Sequence, residues 1–137
     1  MHVNKTQATI EGSSHVFLVA DLSRSIRFYQ SLGFRYEEIG GPDVRHTHMS
    51  KGKLTLILHP ASDPALVRPL TSVEGGPQWD AFAYTDYADL LFEELRSAGA
   101  PIAYGLNRSP HWNEFAIQDP DGYKLAFGGG ASEKASS

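Results

Sequence analysis

The stretch Val19-Ala20-Asp21-Leu22-Ser23-Arg24-Ser25-Ile26-Arg27-Phe28-Tyr29-Gln30-Ser31-Leu32-Gly33-Phe34 holds a strand end, a helix and both of its boundary signals. The apolar, β-branched run at residues 15–20 reads as a strand. Asp21 follows as a helix N-cap, with Ser23 as a second cap candidate. Leu22, Ile26, Tyr29 and Leu32 then recur at helical spacing, and Gly33 suits the residue just past a helix end. The order recurs around Tyr84-Thr85-Asp86-Tyr87, a second amphipathic stretch, and Ala98-Gly99-Ala100. The copies lie roughly 65 residues apart, which in so short a chain means two supersecondary units rather than a solenoid. Two like units packed about a pseudo-twofold axis leave space for a ligand between them.

Working outward, the first helix is followed by strand candidates at residues 34–39, 44–49 and 54–59. Gly40-Gly41-Pro42 and Lys51-Gly52-Lys53 separate them as turns. Residues 60–76 contain several prolines and no clear period, so they read as a link, with one helical turn near Pro64-Ala65-Leu66-Val67. The second half repeats the order: a strand at 79–84, a helix at 87–98, and strands at 101–105, 113–118 and 123–127. Leu90, Leu91, Phe92, Leu95 and Ala98 give that helix a broad apolar side. Asp119-Pro120-Asp121-Gly122 is a strong tight-turn signal. Three strands after one helix, twice over, predict an α+β fold of two βαβββ modules. The predicted organisation is a flexible N-terminus at 1–12, a first module at 13–60, a linker at 61–76, a second module at 77–129, and a disordered tail at 130–137. The run Gly128-Gly129-Gly130 is already read as part of that tail.

Composition narrows the function classes. The 137 residues suffice for one domain with a real core. The net charge of −4 and the absence of any Lys/Arg block argue against nucleic acid or an anionic membrane as partner. With no cysteine there is no disulfide framework and no thiolate chemistry, consistent with a reducing, cytoplasmic location. Neither a signal-peptide apolar core nor a run of membrane-spanning length is evident. Gly-x-Ser-x-Gly, P-loop and dinucleotide fingerprints are also missing.

The stretch from Val19 to Phe34 resembles the first-helix signature of the vicinal oxygen chelate superfamily, which includes glyoxalase I, bleomycin-resistance proteins and extradiol dioxygenases. Glu114-Phe115-Ala116-Ile117-Gln118-Asp119-Pro120-Asp121-Gly122-Tyr123 resembles its closing hairpin. The resemblance spans roughly residues 13–129 and, in character, falls nearest the bleomycin-resistance-like, metal-free branch. It implies two βαβββ modules whose strands curl into a partly closed mixed β-barrel around a central cavity, commonly as a homodimer. Such a scaffold hosts many chemistries, so fold alone does not give function.

The resemblance also implies where a divalent metal would be held: the first and last strands of each module. A cation there needs three or four imidazole or carboxylate donors. Counting back from Asp21 and Asp86 puts Ser14 and Trp79 at the first-strand positions, and neither is a ligand. The last-strand positions fall at Leu56 or Ile57 and at Ala126 or Phe127, all hydrocarbon. One residue of slippage offers His15 and Asp80 as an alternative metal pair, though a one-residue shift turns a side chain to the opposite sheet face. No cofactor is therefore expected, and a divalent metal is the alternative.

His46 and His48 alternate on one strand face and serve as hydrogen-bonding groups if that face lines the cavity; His59 ends the next strand. His2 lies in the N-terminus, and His111 belongs to a surface loop with Asn107, Arg108, Ser109 and Pro110. Glu114 is the acid placed in a cavity-bordering strand: a general base if buried, or else a partner for a nearby Arg or Lys. Trp79, Trp112, Tyr104 and Phe127 are the aromatic candidates for a ligand wall; Phe115 fits core packing better, and Tyr36 is the first-module counterpart of Tyr104. The predicted ligand-binding set is Trp79, His46, His48, Trp112, Glu114, Tyr104 and Phe127. The predicted function is sequestration of a hydrophobic or aromatic, antibiotic-like small molecule without a metal. The alternatives are a metal-dependent lyase, isomerase or dioxygenase of the same superfamily, a metal-free enzyme using Glu114 or a histidine as base, or a purely structural domain with a filled cavity.

Overall fold

The computed structural model describes residues 6–43 and 45–132. Val44, the histidine at position 2 and the outer parts of both predicted flexible termini (1–5 and 133–137) lie outside the described residues. Two modules follow the predicted order. The first has β1 (His15–Val19), α1 (Leu22–Ser31), β2 (Arg35–Gly40), β3 (Arg45–Lys51) and β4 (Leu54–Pro60). Single 3-10 turns at Pro64–Leu66 and Leu70–Ser72 punctuate the link. The second has β5 (Ala81–Tyr87), α2 (Ala88–Ser97), β6 (Ile102–Arg108), β7 (Asn113–Gln118) and β8 (Lys124–Gly130). The sheets run β1-β4-β3-β2 and β5-β8-β7-β6, with β1–β4 and β5–β8 parallel and the remaining pairs antiparallel. No helix among the described residues is long and apolar enough to cross a membrane.

Each helix covers one face of its own sheet. Phe17, Val19, Met49, Leu56 and Leu58 are buried beneath α1 with Tyr29. Phe115, Ile117, Leu125 and Phe127 are buried beneath α2 with Leu95, and Phe92 meets Phe115 edge-on at 5.2 Å. Successive strand residues point to opposite faces, so both sheets turn a second face away from the helices.

The expected barrel is not formed. The two sheets remain separate four-stranded units, because neither β1 nor β5 finds a second hydrogen-bonded neighbour. Val16 on the open face of the first sheet is 64% exposed and Tyr84 on that of the second 82%, so the faces do not cover each other.

The modules are joined by the hairpin between β7 and β8. Asp121 Oδ1 accepts from the Ala20 backbone N–H and from Arg24 Nη2, both at 3.1 Å, and its side chain is 2% exposed. Asp119 Oδ2 accepts from the Tyr29 hydroxyl at 2.8 Å. The Tyr123 hydroxyl donates to the Leu18 carbonyl at 2.6 Å, while its ring stacks on Phe17 at 4.3 Å. The Asp-Pro-Asp-Gly turn and the first helix signature therefore hold one another.

Asp21 caps α1 through the Arg24 N–H as expected, and the second candidate, Ser23, does not. Other boundaries depart from expectation. First, β6 runs on to Arg108, so Asn107 and Arg108 pair with β7 and do not belong to the loop that holds His111. In the second copy the cap position is Tyr87, without a side-chain bond, because Asp86 is the extra residue at an irregularity between Thr85 and Tyr87. Third, β8 continues through Gly128-Gly129-Gly130 rather than ending at Phe127. An alanine Cβ at Gly129 would fall 1.7 Å from the Thr85 carbonyl oxygen, so this close strand pairing needs glycine. Beyond it, Ser132 donates through its N–H and hydroxyl to Asp89 at 2.8 and 2.5 Å. The tail read as disordered from residue 130 is thus anchored on α2 as far as Ser132.

Candidate functional site

The open face of the second sheet is aromatic. Phe82 and Tyr84 alternate with the inward Ala81 and Ala83 along β5, and their ring centroids are 5.4 Å apart. Trp112, just before β7, stacks on Phe82 at 6.2 Å with 15° between planes and lies 6.2 Å from Tyr84. Trp79 meets Phe82 edge-on at 5.6 Å. The floor beneath is small: Ala126 pairs with Phe82 and Ala116, and Gly128 pairs with Tyr84 and Glu114. A Cβ on Gly128 would lie 2.3 Å from Trp112 Cζ2 and 2.8 Å from Phe82 Cζ, so the two rings close directly over that backbone.

Glu114 stands at the edge of this wall, on the same face because its neighbour Phe115 points to α2. Its Oε1 accepts from Trp112 Nε1 at 2.9 Å and its Oε2 from the Tyr104 hydroxyl at 2.5 Å. Burial, and after it the bond to Glu114, raises the Tyr104 hydroxyl above its ordinary pKa, so it remains a donor. No lysine or arginine forms an ion pair with Glu114 among the described residues. Beside the wall runs a cleft of about 510 Å³, lined by Phe82 and Tyr84 on one side and by Ser13, His15, Lys51 and Lys53 on the other.

Of the predicted ligand-binding set, Trp79, Trp112, Tyr104 and Glu114 come together here. Phe127 does not: it is 3% exposed and stacks on Phe115 at 5.2 Å in the core, one residue out of phase with the open face. His46 and His48 do share the open face of the first sheet, opposite Ile39 and Ile57, but no ring contact or hydrogen bond joins them to the aromatic wall. Tyr36 lies on the first sheet's outer strand and donates to Glu38 at 2.7 Å. His111 is exposed on the loop before β7. Sequence reasoning passed over Phe82 and Tyr84; the signal was their i, i+2 spacing in a strand whose inward positions are both alanine.

The residues at the implied metal positions do not fit a cation. His15 opens β1 opposite Leu56, whereas β5 opens only at Ala81, opposite Leu125, so Asp80 lies before the strand and is not the counterpart of His15. Trp79 precedes β5 rather than opening it. Asp80 instead closes the loop, accepting from Thr71 Oγ1 at 2.9 Å and the Lys124 N–H at 2.8 Å. Leu56 and Ala126 are fully buried hydrocarbon. No three His, Asp or Glu side chains are grouped for a metal among the described residues.

A family model described as the glyoxalase/bleomycin resistance protein/dioxygenase superfamily matches residues 12–127. The chain belongs to this superfamily. Within the glyoxalase/bleomycin-resistance group, one similar structure is a protein of that description from Alicyclobacillus acidocaldarius, with TM-score 0.67 and 18% identity, covering 90% of this chain and 94% of that one. TnmS3, described as an antibiotic binding protein from Streptomyces sp. CB03234, has TM-score 0.61 and 20% identity over 88% of this chain and 96% of its own. TioX from Micromonospora sp. ML1 has TM-score 0.61 and 21% identity over 89% and 98%. At these identities the likeness is one of fold. Comparison with curated proteins finds no match.

Proposed function

We propose that this glyoxalase/bleomycin-resistance chain binds a flat, hydrophobic or aromatic small molecule, of antibiotic-like character, and sequesters it without a metal. The observation that carries this is the aromatic wall of Trp79, Phe82, Tyr84 and Trp112 over the small floor of Ala116, Ala126 and Gly128. Exposed stacked rings above a glycine-alanine floor offer a planar ligand both face contact and apolar burial. Hydrocarbon side chains where metal donors are needed favour binding without a metal, and the described antibiotic binding by TnmS3 supports the ligand class. We further propose a homodimer, in which a second copy covers the open faces that leave Val16, Ile39 and Tyr84 exposed.

Tryptophan fluorescence titrated with a panel of aromatic natural products tests the binding. Saturable quenching that weakens in Trp112→Phe is expected; a panel to which neither tryptophan responds contradicts it. One equivalent of Ni, Zn, Fe or Mn co-purifying with the protein would contradict the metal-free part. Light scattering that finds only monomer at micromolar concentration would remove the dimer.

A further inference from the structure

Glu114 is the acidic group on the aromatic wall. A half-buried carboxylate loses hydration and needs compensation. Here only two neutral donors supply it, one to each oxygen: Trp112 Nε1 and the Tyr104 hydroxyl. A carboxylate has about four lone-pair sites, so roughly half its accepting capacity remains. The same two donors fix the carboxylate's position and leave its charge without an ion-pair partner among the described residues. Around it stand Phe82, Tyr84 and Trp112, whose ring faces carry negative potential. A fixed negative charge beside stacked π-faces complements one ligand class above others: a planar ring system bearing a positive charge.

We infer that Glu114 is a specificity residue, and that the open face of the second sheet takes a planar aromatic cation, its ring stacked on Trp112 and Phe82 and its cationic N–H groups on the Glu114 carboxylate. This rests on the aromatic-ligand reading above and names the charge of the ligand. Lys51 and Lys53 lie across the neighbouring cleft, Lys51 already paired with Glu94 at 2.8 Å, whereas an anionic ring stacked on Trp112 meets the Glu114 carboxylate and the ring faces together; a neutral ring gains only stacking and burial.

Isothermal titration of the full chain at neutral pH tests this with three rings of similar area: proflavine, a cation; acridone, neutral; and anthracene-9-carboxylate, an anion. Proflavine is expected to bind at least about tenfold tighter than acridone, with the carboxylate weakest. Raising the ionic strength should narrow the ratio of cation to neutral affinity, and Glu114→Gln should collapse it towards one. Should that variant fail to fold, the wild-type ratio and its salt dependence decide alone. Equal binding of proflavine and acridone, or preference for the anion, overturns the charge assignment and leaves the aromatic-ligand reading standing. Absence of heat with all three overturns both.

Discussion

Asp119 shows how a turn residue becomes part of the core. It is 6% exposed, accepts from the Tyr29 hydroxyl at 2.8 Å, and accepts the N–H groups of Asp121 and Tyr123 at 2.9 Å each. Burial outweighs these bonds and raises its carboxyl to about 6. The folded value thus exceeds the ordinary value of about 3.9, so protonation favours the fold. That contribution is complete below about pH 4 and is lost as pH rises through about 6. Asp119→Asn keeps an acceptor but cannot titrate. Relative to the variant, wild type should lose roughly 2–3 kcal/mol between pH 4 and 7.5, measured by urea unfolding at each pH. A difference independent of pH would show the carboxylate to be ionised throughout. Gly128 is the matching case at the candidate site. Gly128→Ala should displace Trp112 and Phe82, weakening aromatic-ligand affinity by about tenfold while costing only about 1–3 kcal/mol in unfolding. Unchanged affinity would separate the wall from the ligand.

At the scale of elements, the two helices look alike in sequence and differ in how they begin. Asp21 and its capping bond to Arg24 were legible because the cap, the helical spacing and Gly33 agree. In the second copy an irregularity in β5 consumes Asp86 and moves the cap position to Tyr87, and a bulge has no local signature in such a run. Counting back from Asp86 across that extra residue misplaced Trp79 at the head of a strand, whereas Phe127 in β8 is out of phase for a separate reason: its neighbour Ala126 holds the open face. Trp112, Tyr104 and Glu114 do come together, since β7 was bounded by its own flanking signals. Asp21→Ala should therefore destabilise by about 1 kcal/mol, and Asp86→Ala by less than about 0.5 kcal/mol, in equilibrium unfolding. Equal losses would mean that Asp86 caps α2 after all.

For the whole molecule, the pairing of the modules depends on contacts far apart in sequence. The turn Asp119-Pro120-Asp121-Gly122 was legible as a turn. Its role as the joint between modules was not, because Asp121 finds its partners in the first module at Ala20, Arg24 and Ser25. Whether the sheets close into a barrel was equally hidden, since edge pairing is decided by the relative placement of β1 and β5. On the other side Lys51 reaches Glu94 at 2.8 Å, but the Glu94 side chain is 58% exposed. Asp121→Ala strips a buried acceptor from three donors and should cost roughly 2–4 kcal/mol, whereas Lys51→Ala should cost less than about 1 kcal/mol. Thermal unfolding of both variants checks the contrast; the reverse order would place the joint on the Lys51 side.

Where a ligand sits distinguishes the aromatic wall of the second sheet from the histidine face of the first. The protein has two tryptophans, so its indole N–H groups give two resolvable NMR signals. During titration with a planar aromatic ligand, the Trp112 indole and the Gly128 amide are expected to shift together and saturate with one Kd. Shifts centred on the first sheet around His46 and His48, with Trp112 unmoved, would contradict it.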